Sequence, residues 1–178
     1  MQLVKLNSIF DVEYGNQLDF NKMINDENGI NFISRSSSNL GIVSKVKRID
    51  TEPYNAGLIT VTLGGSYLLS SFIQPEPFYT AQNIKVLKPK SKMSFFQKLY
   101  YCVCLQENRF RYSSHGREAN RTLDEILVPS LADIPTWFND TSSLSGKLFS
   151  DISFINKSPY KKKNDLVKLT QLFTPVNG

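Results

Sequence analysis

The chain opens on a short extended stretch, LVKL (3–6), then a turn that ends at Gly15. Residues 16–29 (NQLDFNKMINDENG) are polar, with Leu18, Phe20 and Met23 expected as buried anchors. INFISRS (30–36) alternates apolar and polar positions, as a strand with one face on a core does. SSSNLG (36–41) has turn chemistry, and GIVSKVKRI (41–49) is a second strand candidate. LITVTL (58–63), β-branched and bounded by Gly57 and Gly64-Gly65, is a strand. SYLLSSFIQ (66–74) reads as another. QPEPFYT (74–80) carries two prolines and reads as an irregular connection, and AQNIKVLKP (81–89) returns as a strand.

The character changes after residue 92. In MSFFQKLYYCVCLQENRFRY (93–112) apolar residues at 95, 96, 99, 100, 103 and 105 stand near helical spacing, with Ser94 placed to cap the first turn. This is the one long helix the pattern predicts. A polar loop follows at 113–121, then a last strand at TLDEILVP (122–129) and a closing ADIPTWF (132–138). The expected architecture is α+β: one domain over 1–138 with a mostly antiparallel or mixed twisted sheet and one long helix. Residues 139–166, rich in Ser, Asp, Asn and Lys, read as a polar basic connector.

Residues 167–178 read VKLTQLFTPVNG, against VKLNSIFDVEYG at 4–15; five of the twelve positions coincide (Val, Lys, Leu, Phe and the closing Gly). The two copies stand 163 residues apart (167 − 4), a sensible length for one domain and its connector. The second copy reads as the first strand of a second repeat or as a strand that completes the first domain, the alternative being chance similarity over twelve residues.

Composition narrows the class. Of the residues 40% are apolar and 12% aromatic, enough for a real core. No apolar run approaches the roughly 18 residues that span a bilayer, and no apolar stretch follows a basic start. The chain thus reads as cytoplasmic, without membrane partners. Cys102 and Cys104 lie two apart on the expected helix and point to different sides, so they read as reduced, mostly buried thiols. The net charge of +5 mildly favours a polyanion, although Lys161, Lys162 and Lys163 supply three of those charges.

Enzyme signatures are missing. No Asp or Glu has Lys two positions later, as a restriction-type nuclease core requires. NKSPY (156–160) lacks the second proline of an amine methyltransferase motif, and SGKL (145–148) fails as a phosphate loop. His115 is the single histidine, with no assignable nucleophile or metal partners. The chain reads as non-catalytic, using no cofactor and no metal.

Two polar stretches remain, SRSSSNLG (34–41) and ENRFRYSSHGREANRT (107–122). Arginine forks onto guanine O6 and N7, asparagine pairs with adenine N6 and N7, and both also hold phosphates. With the 74–82 stretch they give the candidate DNA-binding set: Arg35, Ser36, Ser37, Ser38, Asn39, Tyr79, Gln82, Arg109, Arg111, Tyr112, Ser113, His115, Arg117, Asn120 and Arg121. The alternative for such arginines is a solvated loop whose stems pack on the helix end.

The order of the phrases VKLNSIFDVEYG, INFISRSSSNLGIVSKV, AGLITVTLGG, QPEPFYTAQNIKVLKP, FFQKLYYCVCLQ and YSSHGREANRTLDEILVPSLADIP resembles a target recognition domain of type I restriction–modification DNA specificity subunits, or of the related BcgI-like subunits. The resemblance covers roughly residues 3–138. It implies a module that reads one half of a bipartite double-stranded DNA target and docks on a methyltransferase subunit, which alone uses S-adenosylmethionine. In that family long helices usually follow each domain, and residues 139–166 show no such pattern. Two alternatives from other classes are a non-catalytic part of a fused restriction–methylation enzyme, and a module that binds a methyltransferase without reading bases.

Overall fold

The structure, a computed structural model, describes residues 1–112 and 119–139. Within them Met1–Asn139 forms a compact unit. The elements are β1 (Leu3–Lys5), α1 (Leu6–Ile9), β2 (Phe10–Tyr14), β3 (Asn25–Ile33), β4 (Ile42–Val46), β5 (Ile59–Thr62), β6 (Ser71–Ile73), β7 (Phe78–Thr80), β8 (Ile84–Pro89), α2 (Phe95–Glu107), β9 (Leu127–Pro129) and α3 (Thr136–Asn139). They make a four-stranded antiparallel sheet in the order β2-β8-β5-β6, a three-stranded sheet β4-β3-β7 and a two-stranded β1-β9. β3 and β7 run parallel while every other ladder is antiparallel. The fold is α+β with mixed sheets and one long helix. No helix of the described residues is long and apolar enough to cross a membrane.

The largest core cluster lies between the four-stranded sheet and α2. Leu6, Phe10, Ile59, Val61, Leu69 and Leu87 pack there with Tyr101, Cys102 and Leu105. Phe10 and Tyr101 meet edge to face at 5.2 Å, and the Tyr101 hydroxyl donates to the Pro129 carbonyl at 3.0 Å. Ser94 caps α2 as expected: its hydroxyl accepts from Gln97 N, and the Gln97 side chain accepts from Ser94 N, satisfying two donors that a helix start leaves open. Of the positions that set its spacing, Leu105 is buried and Phe96 and Tyr100 are half-buried. Tyr101, Cys102 and Leu105 point inward, whereas Phe95, Leu99 and Val103 form an exposed stripe. That stripe borders a cleft of about 400 Å³ with Phe72, Ile73 and Pro75. Apolar residues on both sides of the helix made its spacing legible and its inward face ambiguous.

Four further expectations are corrected. QPEPFYT is not wholly irregular: Phe78–Thr80 forms β7, fully buried and parallel to β3, because both prolines fall before the paired residues and cost the ladder no donor. In SYLLSSFIQ only Ser71–Ile73 pairs; Gly65, at φ +74°, starts a one-turn helix over Gly65–Tyr67 that interrupts it. TLDEILVP pairs only over Leu127–Pro129, after a one-turn helix at Leu123–Glu125. The polar 16–29 stretch contains the start of β3, where Asn25 and Ile30 both pair with Val46 across a bulge. Of its expected anchors, Leu18 and Met23 are half-buried, and exposed Phe20 leans on Phe32 at 5.2 Å. Cys102 is buried and Cys104 half-buried, both free thiols.

Candidate nucleic-acid interface

Strand direction gathers the candidate loops at one end of the sheets. β3 and β7 are parallel, so Ile33 and Thr80 finish side by side, and Ala81 N donates to the Ile33 carbonyl at 2.8 Å. Leu63, just beyond β5, donates its N–H to the Asn83 carbonyl at 3.0 Å, and its own carbonyl accepts from Ala119 N at 2.8 Å. The 34–41 loop, the 81–83 turn and the 119–121 segment are thus linked by three backbone hydrogen bonds. Tyr14 joins this end through its register with Lys85, and its hydroxyl approaches the Asn120 carbonyl at 3.4 Å.

The 34–41 loop braces itself. Ser34 N donates to the Gly41 carbonyl at 2.9 Å, the hydroxyls of Ser36 and Ser38 lie 3.1 Å apart, and the Asn39 amide donates to the Ile42 carbonyl at 3.1 Å. Asn39, Leu40 and Gly41 take positive φ in succession (47°, 55° and 81°), a conformation a leucine adopts only under constraint. The Gln74 amide supplies one, donating to the Leu40 carbonyl at 2.9 Å. Ser37 is exposed. Arg35 and Gln82 lie together on the lining of one cleft of about 330 Å³ with Asp19 and Phe20.

The second polar stretch divides by role. Arg109 donates to the Ser66 carbonyl, so its guanidinium is held against the body of the domain. Arg111 is exposed, 5.8 Å from the ring of exposed Phe110. The Tyr112 hydroxyl lies 2.8 Å from Thr122 Oγ1. Asn120 is half-buried and Arg121 exposed. Among the described residues Arg35, Gln82 and Arg121 make no hydrogen bond or ion pair within the domain. Ser113, His115 and Arg117 lie outside the described residues.

Tyr79 takes a different place from the one expected. It is fully buried with Phe32 and Val46, and its hydroxyl donates to the Thr51 carbonyl at 2.8 Å. A phenol spent on the backbone beneath the surface holds the 49–51 turn and offers DNA nothing. Three residues that matter here were not expected: Tyr14, Lys85 and Asp124. Tyr54, beside them, donates to the Tyr14 carbonyl at 3.1 Å. Burial first, then the Glu13 carboxylate, pushes its pKa up to about 12, so it stays a donor. The one signal in the sequence is a lysine inside the apolar run IKVL.

The profile of the type I restriction modification DNA specificity domain matches residues 1–129. The chain belongs to this family. Among characterised relatives of the specificity-domain family, the specificity subunit S.BcgI of the type II restriction enzyme of Heyndrickxia coagulans is 26% identical over 135 residues, 74% of this chain and 39% of the relative. Solved structures agree on the fold. The type I restriction–modification S subunit from M. genitalium superposes with a TM-score of 0.55 at 13% identity, over 86% of this chain and 43% of that one. The HsdS subunit from Thermoanaerobacter tengcongensis gives 0.59 at 14% identity, over 84% and 39%. The chain therefore spans about two fifths of the length of these relatives.

Proposed function

We propose that residues 1–138 read one half of a bipartite double-stranded DNA target for a restriction–modification complex, and that a separate methyltransferase subunit performs the chemistry with S-adenosylmethionine. The observation that carries this reading is the convergence of three polar segments at one end of the sheets. It leaves Arg35, Gln82 and Arg121 exposed, with no hydrogen bond or ion pair among the described residues. Long cationic and amide side chains free of internal bonds are what phosphate and base-edge contacts need. The chain contributes recognition and not catalysis, and works in the cytoplasm where host DNA lies.

The opening phrase supports a further repeat. Leu6 and Phe10, which recur as Leu169 and Phe173, are wholly buried in the first copy. Gly15, which recurs as Gly178, packs where an added Cβ would collide with Thr80 Oγ1. Three of the five recurring positions are ones the first copy needs for folding, which favours residues 139–166 as a connector and 167–178 as the start of a second unit.

The test is a methylation map of host DNA with the intact gene and with residues 119–121 replaced by alanine and glycine. Change confined to one half of a split motif is the expected result. An unchanged map after deletion of the whole gene overturns the reading and leaves partner binding without base reading.

A further inference from the structure

Lys85 is a charge in an apolar row. It stands on β8, between β2 and β5, with Ile84, Val86 and Leu87 beside it, and is only 5% exposed. Its ammonium passes within 5.1 Å of the Tyr14 ring centroid and meets Asp124 Oδ1 at 2.6 Å. Taking an ammonium out of water costs free energy that a methionine or leucine at the same place would avoid. The pair is therefore a weak source of stability and a strong source of register.

What it registers is the segment that carries Asn120 and Arg121. Asp124 lies on the one-turn helix at Leu123–Glu125, directly after them. Tyr14, whose ring the ammonium approaches, also contacts the Asn120 carbonyl through its hydroxyl. The two carboxylates that follow Arg121 are each claimed from elsewhere, Asp124 by Lys85 and Glu125 by Lys5. Among the described residues Arg121 is thereby left without a counter-ion within the domain.

We infer that Lys85, with Asp124 and Tyr14, positions the Asn120–Arg121 segment for base reading, and that it sets how strictly the half-site is read without touching DNA itself. This rests on the recognition reading above. A tether of this kind acts on the geometry of contacts made by others, so its loss relaxes discrimination at the positions those contacts read. It does not abolish binding.

The experiment uses the complete gene in its host, with variants of this unit and a genome-wide methylation map as readout. Stringency is the ratio of modification at full target sites to that at sites with one base pair changed in the half this unit reads. Lys85→Met/Asp124→Leu removes both charges together, and the thermal midpoint of the purified complete protein is recorded beside each map. Expected are a midpoint near that of the unchanged protein and a stringency lower by about tenfold, the scale of one good base contact. Asp11→Asn, which breaks the exposed pair with Lys90 beyond the far end of β8, leaves stringency unchanged. Tyr14→Phe keeps the ring but removes the hydroxyl; it lowers stringency less, and decides the matter if the double variant does not fold. Undiminished stringency in the folded double variant, or in Tyr14→Phe where the double variant fails, overturns the inference. So does an equal fall at target and mismatched sites. A map without any sequence motif in the unchanged system refutes instead the recognition reading on which it stands.

Discussion

The Tyr112 hydroxyl and Thr122 Oγ1 lie 2.8 Å apart, joining the end of the turn after α2 to the segment that leads into β9. One hydrogen bond between exposed hydroxyls contributes about 0.5–1.5 kcal/mol. Its effect falls on the geometry of the candidate interface more than on the fold. Tyr112→Phe and Thr122→Val are each expected to weaken DNA binding by the complete complex several-fold. The double variant should be no worse than either single one, because both remove the same bond. Additive losses in a double-mutant cycle would place the Tyr112 hydroxyl on DNA instead.

The arginines separate into two kinds. Arg109 is held on the Ser66 carbonyl, while Arg35 and Arg121 have no bond within the domain among the described residues. Arg35→Ala and Arg121→Ala should weaken DNA binding and, for a phosphate contact, reduce the slope of log affinity against log salt by about 1 each. Arg109→Ala should lower the thermal midpoint and leave that slope nearly unchanged. Binding titrations at several salt concentrations decide between them.

Tyr79 is a case where composition misled. QPEPFYT, with two prolines, reads as an irregular connection, and the 74–82 stretch as a loop at the DNA. In the fold Phe78–Thr80 becomes a buried edge strand parallel to β3, and parallel pairing leaves no mark in the spacing of one strand. Tyr79→Phe should cost about 1 kcal/mol through the lost bond to Thr51, seen as a lower denaturation midpoint, with the methylated sequence unchanged.

Legibility followed physical range. Features set by neighbours in sequence were readable: the Ser94 cap, the β-branched strand at Ile59–Thr62 and the turn chemistry of SSSNLG. Features set by distant partners were not. The spacing in α2 does not say that Tyr101 faces Phe10 while Val103 faces outward. Nothing near residue 85 says that a lysine there reaches Asp124, 39 residues on. The candidate loops were found by polarity, but that Ile33, Leu63, Ala81 and Ala119 bring them together required the sheet.

Alkaline pH should loosen the core between β5 and α2. Burial pushes the Cys102 thiol from 9.0 up to about 12, and burial likewise raises Tyr101, which packs beside it. A raised folded-state pKa means the folded state keeps protons that the unfolded chain releases. Stability is therefore full below pH 9 and falls as pH rises from there towards 12, by about 1.4 kcal/mol per pH unit for the thiol. Urea midpoints measured from pH 7 to 11 should decline above pH 9, and Cys102→Ala should flatten the decline while lowering the midpoint at pH 7. A decline unaffected by that substitution would assign it to the tyrosines.

Gly15 closes the phrase that recurs at residues 167–178, and in the first copy it stands where a side chain has no room. Gly15 N donates to the Ile84 carbonyl at 3.0 Å, and an added Cβ would collide with Thr80 Oγ1 and Cβ. Gly15→Ala should therefore cost about 1–3 kcal/mol through overpacking, visible as a lower thermal midpoint. Thr80→Gly in the same chain removes the colliding atoms and should recover part of the loss. The clash lies between Tyr14 and the 81–83 turn, so the variant should also relax reading in the half-site served by residues 1–138. If residues 167–178 begin a second unit of the same kind, Gly178→Ala in the complete gene should relax the other half of the motif and spare the first. Relaxation of the same half by both substitutions would show instead that the terminal strand completes the first domain.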